Sequence, residues 1–411
     1  MKKQSWICLL LIAALVLGCS GCIPQARAAD LMEGVTPNRP AELHRPTELQ
    51  QDAAADFALR LFRAGRETGK NSLLSPLSAA CALAMIANGA KGETLRQMEA
   101  VLGMDRAALN DYFRAFLDTL QEDGSLKLAD AIWFRDDGAL EVNRDFLQTN
   151  ADCYGADARS APFDEQTKQE INAWVKEKTD GMIPEILDEI PEDAVMYLVN
   201  ALAFEARWEE PYRANNVKAG DFRCADGTIR AVEMMRGSEN SYLESDRAVG
   251  FIKPYAGGKY GFAALLPAEG VSPEALLDSL DGPALRALLT EPEQTTVFTA
   301  MPKFETRFGT ELGEALKELG MPLAFDPDRA ELSGIGSAKG NLYINRVLHR
   351  SFISVGEQGT RAGAATAVEV NGKGAMPMEP KEIILDRPFV YMLIDVETGV
   401  PFFVGILNDP S

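Results

Sequence analysis

An α+β fold is the class this sequence predicts, on three observations. Apolar residues recur at helical spacing in some stretches. Unbroken apolar runs of strand length occur in others, and the two kinds of segment do not alternate in a regular βαβ rhythm. From about residue 49 the composition is even, with no internal repeat or low-complexity linker, so residues 49–411 are expected to form one large domain. With 46% hydrophobic and 25% charged residues, the chain is of ordinary globular composition.

The elements follow in chain order. Residues 52–66 are expected to be helical, with Phe57, Leu61 and Phe62 on one face. In Asn71-Ser72-Leu73-Leu74-Ser75-Pro76-Leu77-Ser78, Ser75 suits a helix N-cap and Pro76 the first turn. Residues 79–88 are apolar almost all round, which predicts a buried helix ended by Gly89, and residues 93–102 continue as another helix. Strands are expected at 126–134, 195–204, 260–266, 295–304, 342–355, 389–394 and 400–407. Further helices are expected at 165–179, 273–280 and 310–319.

Met1-Lys2-Lys3 and the apolar run from Trp6 to Gly18 have the basic and apolar parts of a secretion signal. Leu15-Val16-Leu17-Gly18-Cys19 resembles a bacterial lipobox, which makes residues 1–18 a lipoprotein-type signal peptide and Cys19 the lipidated first residue. Ala26-Arg27-Ala28 offers an alternative cleavage after residue 28. Residues 19–48, with Pro24, Pro37, Pro40 and Pro46, read as a flexible tether. The expected location is extracellular or cell-surface, lipid-anchored at Cys19, with no other membrane attachment. No later segment has the length and apolarity of a membrane helix.

Of the cysteines, Cys8 leaves with the signal, Cys22 lies in the tether, and Cys81, Cys153 and Cys224 are far apart, which is no disulfide framework. Cys81 sits in an apolar stretch and reads as a small core residue. The formal charge is −20, from 41 Lys+Arg against 61 Asp+Glu, and no dense basic stripe offsets it. Such a surface repels phosphate backbones, so no nucleic-acid partner is expected.

Enzymatic constellations are missing. There are two histidines, His44 and His349, and His44 lies in the tether, so a Ser-His-Asp or Cys-His device has only His349 to draw on. The sequence holds no G-x-S-x-G, S-x-x-K, H-E-x-x-H or Walker motif. Its cysteines and histidines do not cluster at zinc-ligand spacing, and no metal or other cofactor is expected. Gly334-Ile335-Gly336-Ser337-Ala338-Lys339-Gly340 is wrongly spaced for a phosphate loop and reads as a surface turn. Nothing singles out a carboxylate pair for glycoside hydrolysis. The chain is not read as an enzyme.

The informative stretch is Glu357-Gln358-Gly359-Thr360-Arg361-Ala362-Gly363-Ala364-Ala365-Thr366-Ala367-Val368-Glu369-Val370-Asn371-Gly372-Lys373-Gly374. Split into the two faces of a strand, one side carries Thr360, Ala362, Ala364, Thr366, Val368 and Val370, all uncharged. The other carries Arg361, Gly363, Ala365, Ala367, Glu369 and Asn371. Small side chains anchor a permanent core strand poorly, yet the uncharged face fits a half-buried one. The residues alone leave two readings: an Ala-rich surface loop, or a segment able to be loop in one state and inserted strand in another.

Several segments, in order, carry a family resemblance. Asn71 to Ser78 is followed by Gly89-Ala90-Lys91-Gly92-Glu93-Thr94, and Asn200-Ala201-Leu202-Ala203-Phe204 by Trp208. Then come Met301-Pro302-Lys303-Phe304, Leu319-Gly320-Met321, Ala330-Glu331-Leu332-Ser333-Gly334-Ile335 and Asp386-Arg387-Pro388-Phe389. Over essentially residues 49 to the C-terminus, the chain resembles the serpins, inhibitors of serine proteases.

The resemblance implies three β-sheets, about nine helices and an exposed reactive-centre loop at about residues 357–385. It implies that a protease attacks the loop, forms an acyl-enzyme, and is dragged and distorted as the cut loop inserts into the large sheet. It makes Glu357, Gly359, Thr360, Ala362, Ala364 and Thr366 the hinge. His349, Asn200, Ser75 and Ser78 become a hydrogen-bonded shutter, and Trp208 a packing residue where insertion starts. Family spacing from Glu357 places the scissile bond at Lys373–Gly374, which suits a trypsin-like pocket. The interval to Asp386 is slightly long, so Ala375 or Met376 stays open, which would suit elastase-, chymotrypsin- or subtilisin-like enzymes. Arg361 and Gly356 depart from the family pattern. The expected partner is a target serine protease held as a covalent acyl complex by a monomeric inhibitor. The alternative is a non-inhibitory serpin-fold binding protein that is cleaved as a plain substrate.

Overall fold

The computed structural model describes residues 28–38, 45–121, 124–360 and 381–411. Helix α1 (Glu48–Gly65) begins where Thr47 and Gln50 satisfy each other's main-chain amides in a capping box. Helix α2 (Pro76–Ala87) has every residue buried, because it lies between two sheets, against strands Met196–Phe204 and Pro401–Leu407. The other helices among the described residues are α3 (Gly92–Leu102), α4 (Arg106–Gln121), α5 (Arg144–Tyr154), α6 (Glu165–Lys178), α7 (Pro273–Asp278), α8 (Gly282–Thr290) and α9 (Gly313–Leu319). With three sheets among the described residues, this is the expected α+β architecture.

The eight-stranded sheet contains β1 (Ala29–Asp30), β2 (Leu126–Arg135), β3 (Asp157–Ala161), β4 (Met196–Phe204), β5 (Ala206–Arg207), β6 (Phe304–Glu311), β7 (Arg346–Gly356) and β8 (Gly359–Thr360). Its order is β1-β3-β2-β4-β7-β8-β5, with β6 on the other edge of β7. Strands β4 and β7 run parallel and pair from Tyr197↔Arg346 to Leu202↔Ser351. Beyond that point the chain turns back, and β8 lies between the end of β7 and β5. The sheet is closed at one end and parted at the other. A nine-stranded sheet packs behind it, running through the long strand Ile229–Ser245 to Pro401–Leu407 and Ser72–Leu74.

Three expectations are corrected. Residues 28–38 are not a free tether: β1 pairs with β3, Arg144 Nη2 donates to the Gly34 carbonyl at 2.9 Å, and Gln148 Nε2 to that of Thr36 at 2.8 Å. Leu31, Met32 and Val35 pack against the main core. The open edge of β3 offers unpaired main-chain groups, and a segment whose prolines fall outside the paired residues can satisfy them. Second, the apolar run around residue 300 is two strands, Glu293–Pro302 and Phe304–Glu311, so the helix expected from 310 starts at Gly313. Third, Ser75 occupies the N-cap position of α2 without a side-chain cap bond. The sequence reading also missed α4, α5 and α8.

Candidate functional site

The hinge is held from three directions. Strand β7 ends at Gly356, Glu357 and Gln358 make the turn, and Gly359 follows with φ +150°. A Cβ at residue 359 would stand 2.1 Å from the Ala206 carbonyl oxygen, so only glycine lies this close to β5. Thr360 is then buried, its hydroxyl 2.5 Å from the Tyr255 phenol oxygen. The Trp208 indole Nε1 donates to the Gly356 carbonyl at 2.8 Å, while its main-chain N–H donates to that of Gln358 at 2.9 Å. The Tyr212 N–H reaches the Glu357 carbonyl at 2.9 Å. Trp208 stacks on Tyr255 with centroids 4.5 Å apart and planes 16° from parallel. Lys303 pairs with Glu357 at 2.5 Å; against the upward push of partial burial, that partner holds the Glu357 carboxyl below its ordinary range.

Deeper in the sheet, register brings a polar row together. Asp130 faces Asn200 across β2 and β4, Asn200 faces His349 across β4 and β7, and His349 faces Thr310 across β7 and β6. The Ser75 main-chain N–H donates to His349 Nε2 at 3.0 Å. That nitrogen must therefore be unprotonated, and His349 Nδ1 is the donor to Asn200 Oδ1 at 2.9 Å. Ser351 Oγ lies 2.8 Å from Nε2, and the Ser78 hydroxyl donates to Asn200 Oδ1 at 2.8 Å. Asn200 Nδ2 donates to Asp130 Oδ1, and the other Asp130 oxygen has no hydrogen-bond partner. Burial lowers His349 to about 3, so its ring stays neutral, and it pushes Asp130 up to about 7.

Thus Ser75, Ser78, Asn200 and His349 meet in one cluster, and Trp208 bonds to the hinge turn at Gly356 and Gln358 and stacks on Tyr255, which bonds to Thr360. Ser75 enters through its main chain, its hydroxyl having no hydrogen-bond partner. Ala362, Ala364, Thr366, Lys373, Gly374, Ala375, Met376 and Cys19 lie outside the described residues. Sequence reasoning missed Asp130, Ser351, Tyr212 and Tyr255. Asp130 was visible as the one acidic residue inside an apolar strand run. Both ring nitrogens of His349 are engaged and the residue is 1% exposed, so it presents no base to a substrate. Among the described residues no group of His, Cys, Asp or Glu is placed to hold a metal ion.

Comparison with known proteins places this geometry. The family model for serpins (serine protease inhibitors) matches residues 52–410. An uncharacterized serpin-like protein of Thermococcus kodakarensis is 31% identical over 371 residues, covering 88% of this chain and 85% of that one. Leukocyte elastase inhibitor of Equus caballus is 30% identical over 380 residues, covering 87% and 98%. The crystal structure of tengpin, a thermophilic serpin, in its native state is 41% identical and superposes with TM-score 0.88 over 93% of this chain and 100% of that one. Tengpin in its latent state gives 0.79 over 90% and 100%. The chain belongs to the serpin family, whose members mostly inhibit proteases and are generally not enzymes.

Proposed function

We propose that this chain is an irreversible suicide-substrate inhibitor of serine proteases, which it traps as a covalent acyl complex through Lys373–Gly374. The observation that supports this most is the seat of β8. On the β4 side of β7, residues 352–354 have no strand partner among the described residues, and Thr360 already occupies the mouth of that gap. An unpaired strand edge is a template for strand addition. The loop's uncharged alternate positions suit the buried face of an added strand, and burying them supplies driving force at about 25 cal/mol per Å². The native state would then be kinetically held, with cleavage releasing it.

Incubating the protein with trypsin and with an elastase, followed by denaturing gels, tests the reading. A complex with trypsin that survives SDS is expected, and mass spectrometry of the released C-terminal peptide should place the cut after Lys373. A cut after Ala375 or Met376 would move the target class to elastase- or subtilisin-like enzymes. Clean cleavage with full protease activity would make the chain a non-inhibitory substrate. We also place the protein outside the cytoplasm on its N-terminal signal, and propose that it acts as a monomer. Sequencing the mature N-terminus separates lipidation at Cys19 from cleavage after residue 28.

A further inference from the structure

Lys253 and Glu239 form a 2.8 Å ion pair with side chains only 3% and 6% exposed. The pair sits where the nine-stranded sheet divides. Strand Ala248–Pro254 pairs with Ile229–Ser245 only as far as Ile252↔Ser241. Strand Glu293–Pro302 shifts register against Ile229–Ser245 between Gln294 and Val297, and Val297 is the residue that faces Glu239. Two buried charges therefore occupy the place where the ladder stops.

The ammonium of Lys253 also lies 4.5 Å from the centroid of the Tyr212 ring and 5.5 Å from that of Trp208. Gly237 lets the Tyr212 ring come close: a Cβ there would stand 3.0 Å from it. Trp208 and Tyr212 are the two residues whose amides hold the hinge carbonyls of Gln358 and Glu357. The hinge is thus one step removed from a buried charge pair that touches both of its holders.

Stability alone does not account for such a pair, because desolvating two charges costs about what their attraction returns, and apolar residues of similar volume often serve as well. What the charges add is direction. An ammonium that must satisfy a carboxylate and two aromatic faces together restricts both rings.

We propose that the Lys253–Glu239 ion pair is a positioning element for the hinge. It fixes Trp208 and Tyr212, and through their amides the turn at residues 356–359, so that Thr360 stays seeded in the large sheet. The consequence for trapping rests on the inhibitory reading above: a seeded hinge inserts before the acyl-enzyme hydrolyses.

The test separates the two levels. In Lys253→Met/Glu239→Gln, the Trp208 and Tyr212 amides should exchange hydrogen at least tenfold faster, while amides of β4 between Tyr197 and Leu202 keep their protection. Unchanged exchange at Trp208 and Tyr212 overturns the positioning role, whatever the protein does to proteases. Lys253→Arg, which keeps charge and partner, should stay within about threefold of the parent. Glu239→Gln alone is the milder variant should the double one not fold, and about threefold faster exchange is expected there. If the parent traps trypsin, the double variant should consume at least twice as many inhibitor molecules per protease at an unchanged cleavage rate. An unchanged ratio overturns the consequence. A parent that forms no SDS-stable complex defeats the inhibitory reading instead and leaves the exchange result to decide the positioning role.

Discussion

The Thr360 hydroxyl meets the Tyr255 phenol oxygen at 2.5 Å in a site closed to water, so the first turn-back strand of the loop is anchored by a side chain of the other sheet. Tyr255 in turn carries the Trp208 stack. Hinge, large sheet and nine-stranded sheet therefore meet at one hydrogen bond.

Thr360→Arg is expected to turn an inhibitor into a substrate. The guanidinium would replace a hydroxyl in a buried slot beside the Tyr255 phenol, and an unpaired buried charge costs several kcal/mol. Titration against trypsin should show at least a tenfold rise in inhibitor consumed per enzyme. An unaltered ratio would count heavily against trapping by insertion.

Gly359→Ala is expected to unseat β8. The substitution meets both a left-handed backbone, worth about 1–3 kcal/mol, and a contact of 2.1 Å with the Ala206 carbonyl oxygen that cannot persist. Protection of the Thr360 amide should fall, with a thermal midpoint a few degrees lower. A variant that melts with the parent and keeps that protection would show that the turn adapts at no cost.

The pH profile carries two opposed slopes. Asp130 is pushed up to about 7 by burial, so the folded protein keeps a proton that the unfolded chain loses above about pH 4. Its stabilisation is full below about pH 4 and lost as pH rises to about 7. His349, lowered to about 3 by burial, runs the other way: its stabilisation is full above about pH 6.5 and is lost as pH falls toward 3. The Cys81 thiol beside Asp130 is pushed up by burial and stays protonated throughout. Asp130→Asn removes the first slope. On acidification from about pH 7 to about pH 5, the variant should lose about 1.4 kcal/mol per pH unit more than the parent. Urea denaturation at both ends of that range checks this, and parallel profiles would deny Asp130 its proton.

Deleting residues 28–38 should destabilise the domain by about 2 kcal/mol, the balance of three half-buried side chains against the entropy of ordering them. The loss would reflect the β1–β3 pairing and the packing of Leu31, Met32 and Val35. A melting curve identical to the parent's would restore the view of this segment as a passive tether.

Much of the fold was legible in the chain because its long elements are locally consistent. The almost wholly apolar Pro76–Ala87 helix, the run at Met196–Phe204 and the closing strand Pro401–Leu407 each announce their burial in composition alone. Short or amphipathic pieces were less readable. Helices α4 and α5 mix polar and apolar residues, and the two-residue strands β1, β5 and β8 have no period to detect.

The sequence by itself determined several of the long helices and strands, the family to which their order belongs, and the alternating small, uncharged positions of the loop. These properties follow from neighbours along the chain. Only the tertiary structure decided that Asp130, Asn200 and His349 form one row, that Lys253 and Glu239 stand under Trp208 and Tyr212, and that Thr360 bonds to Tyr255. Most of these partners are distant in sequence or lie beyond strand ends, and where strands pair, register sets which side chains face one another. A charge in an apolar run signals that something must compensate it, but its partner becomes known only when the strands are aligned.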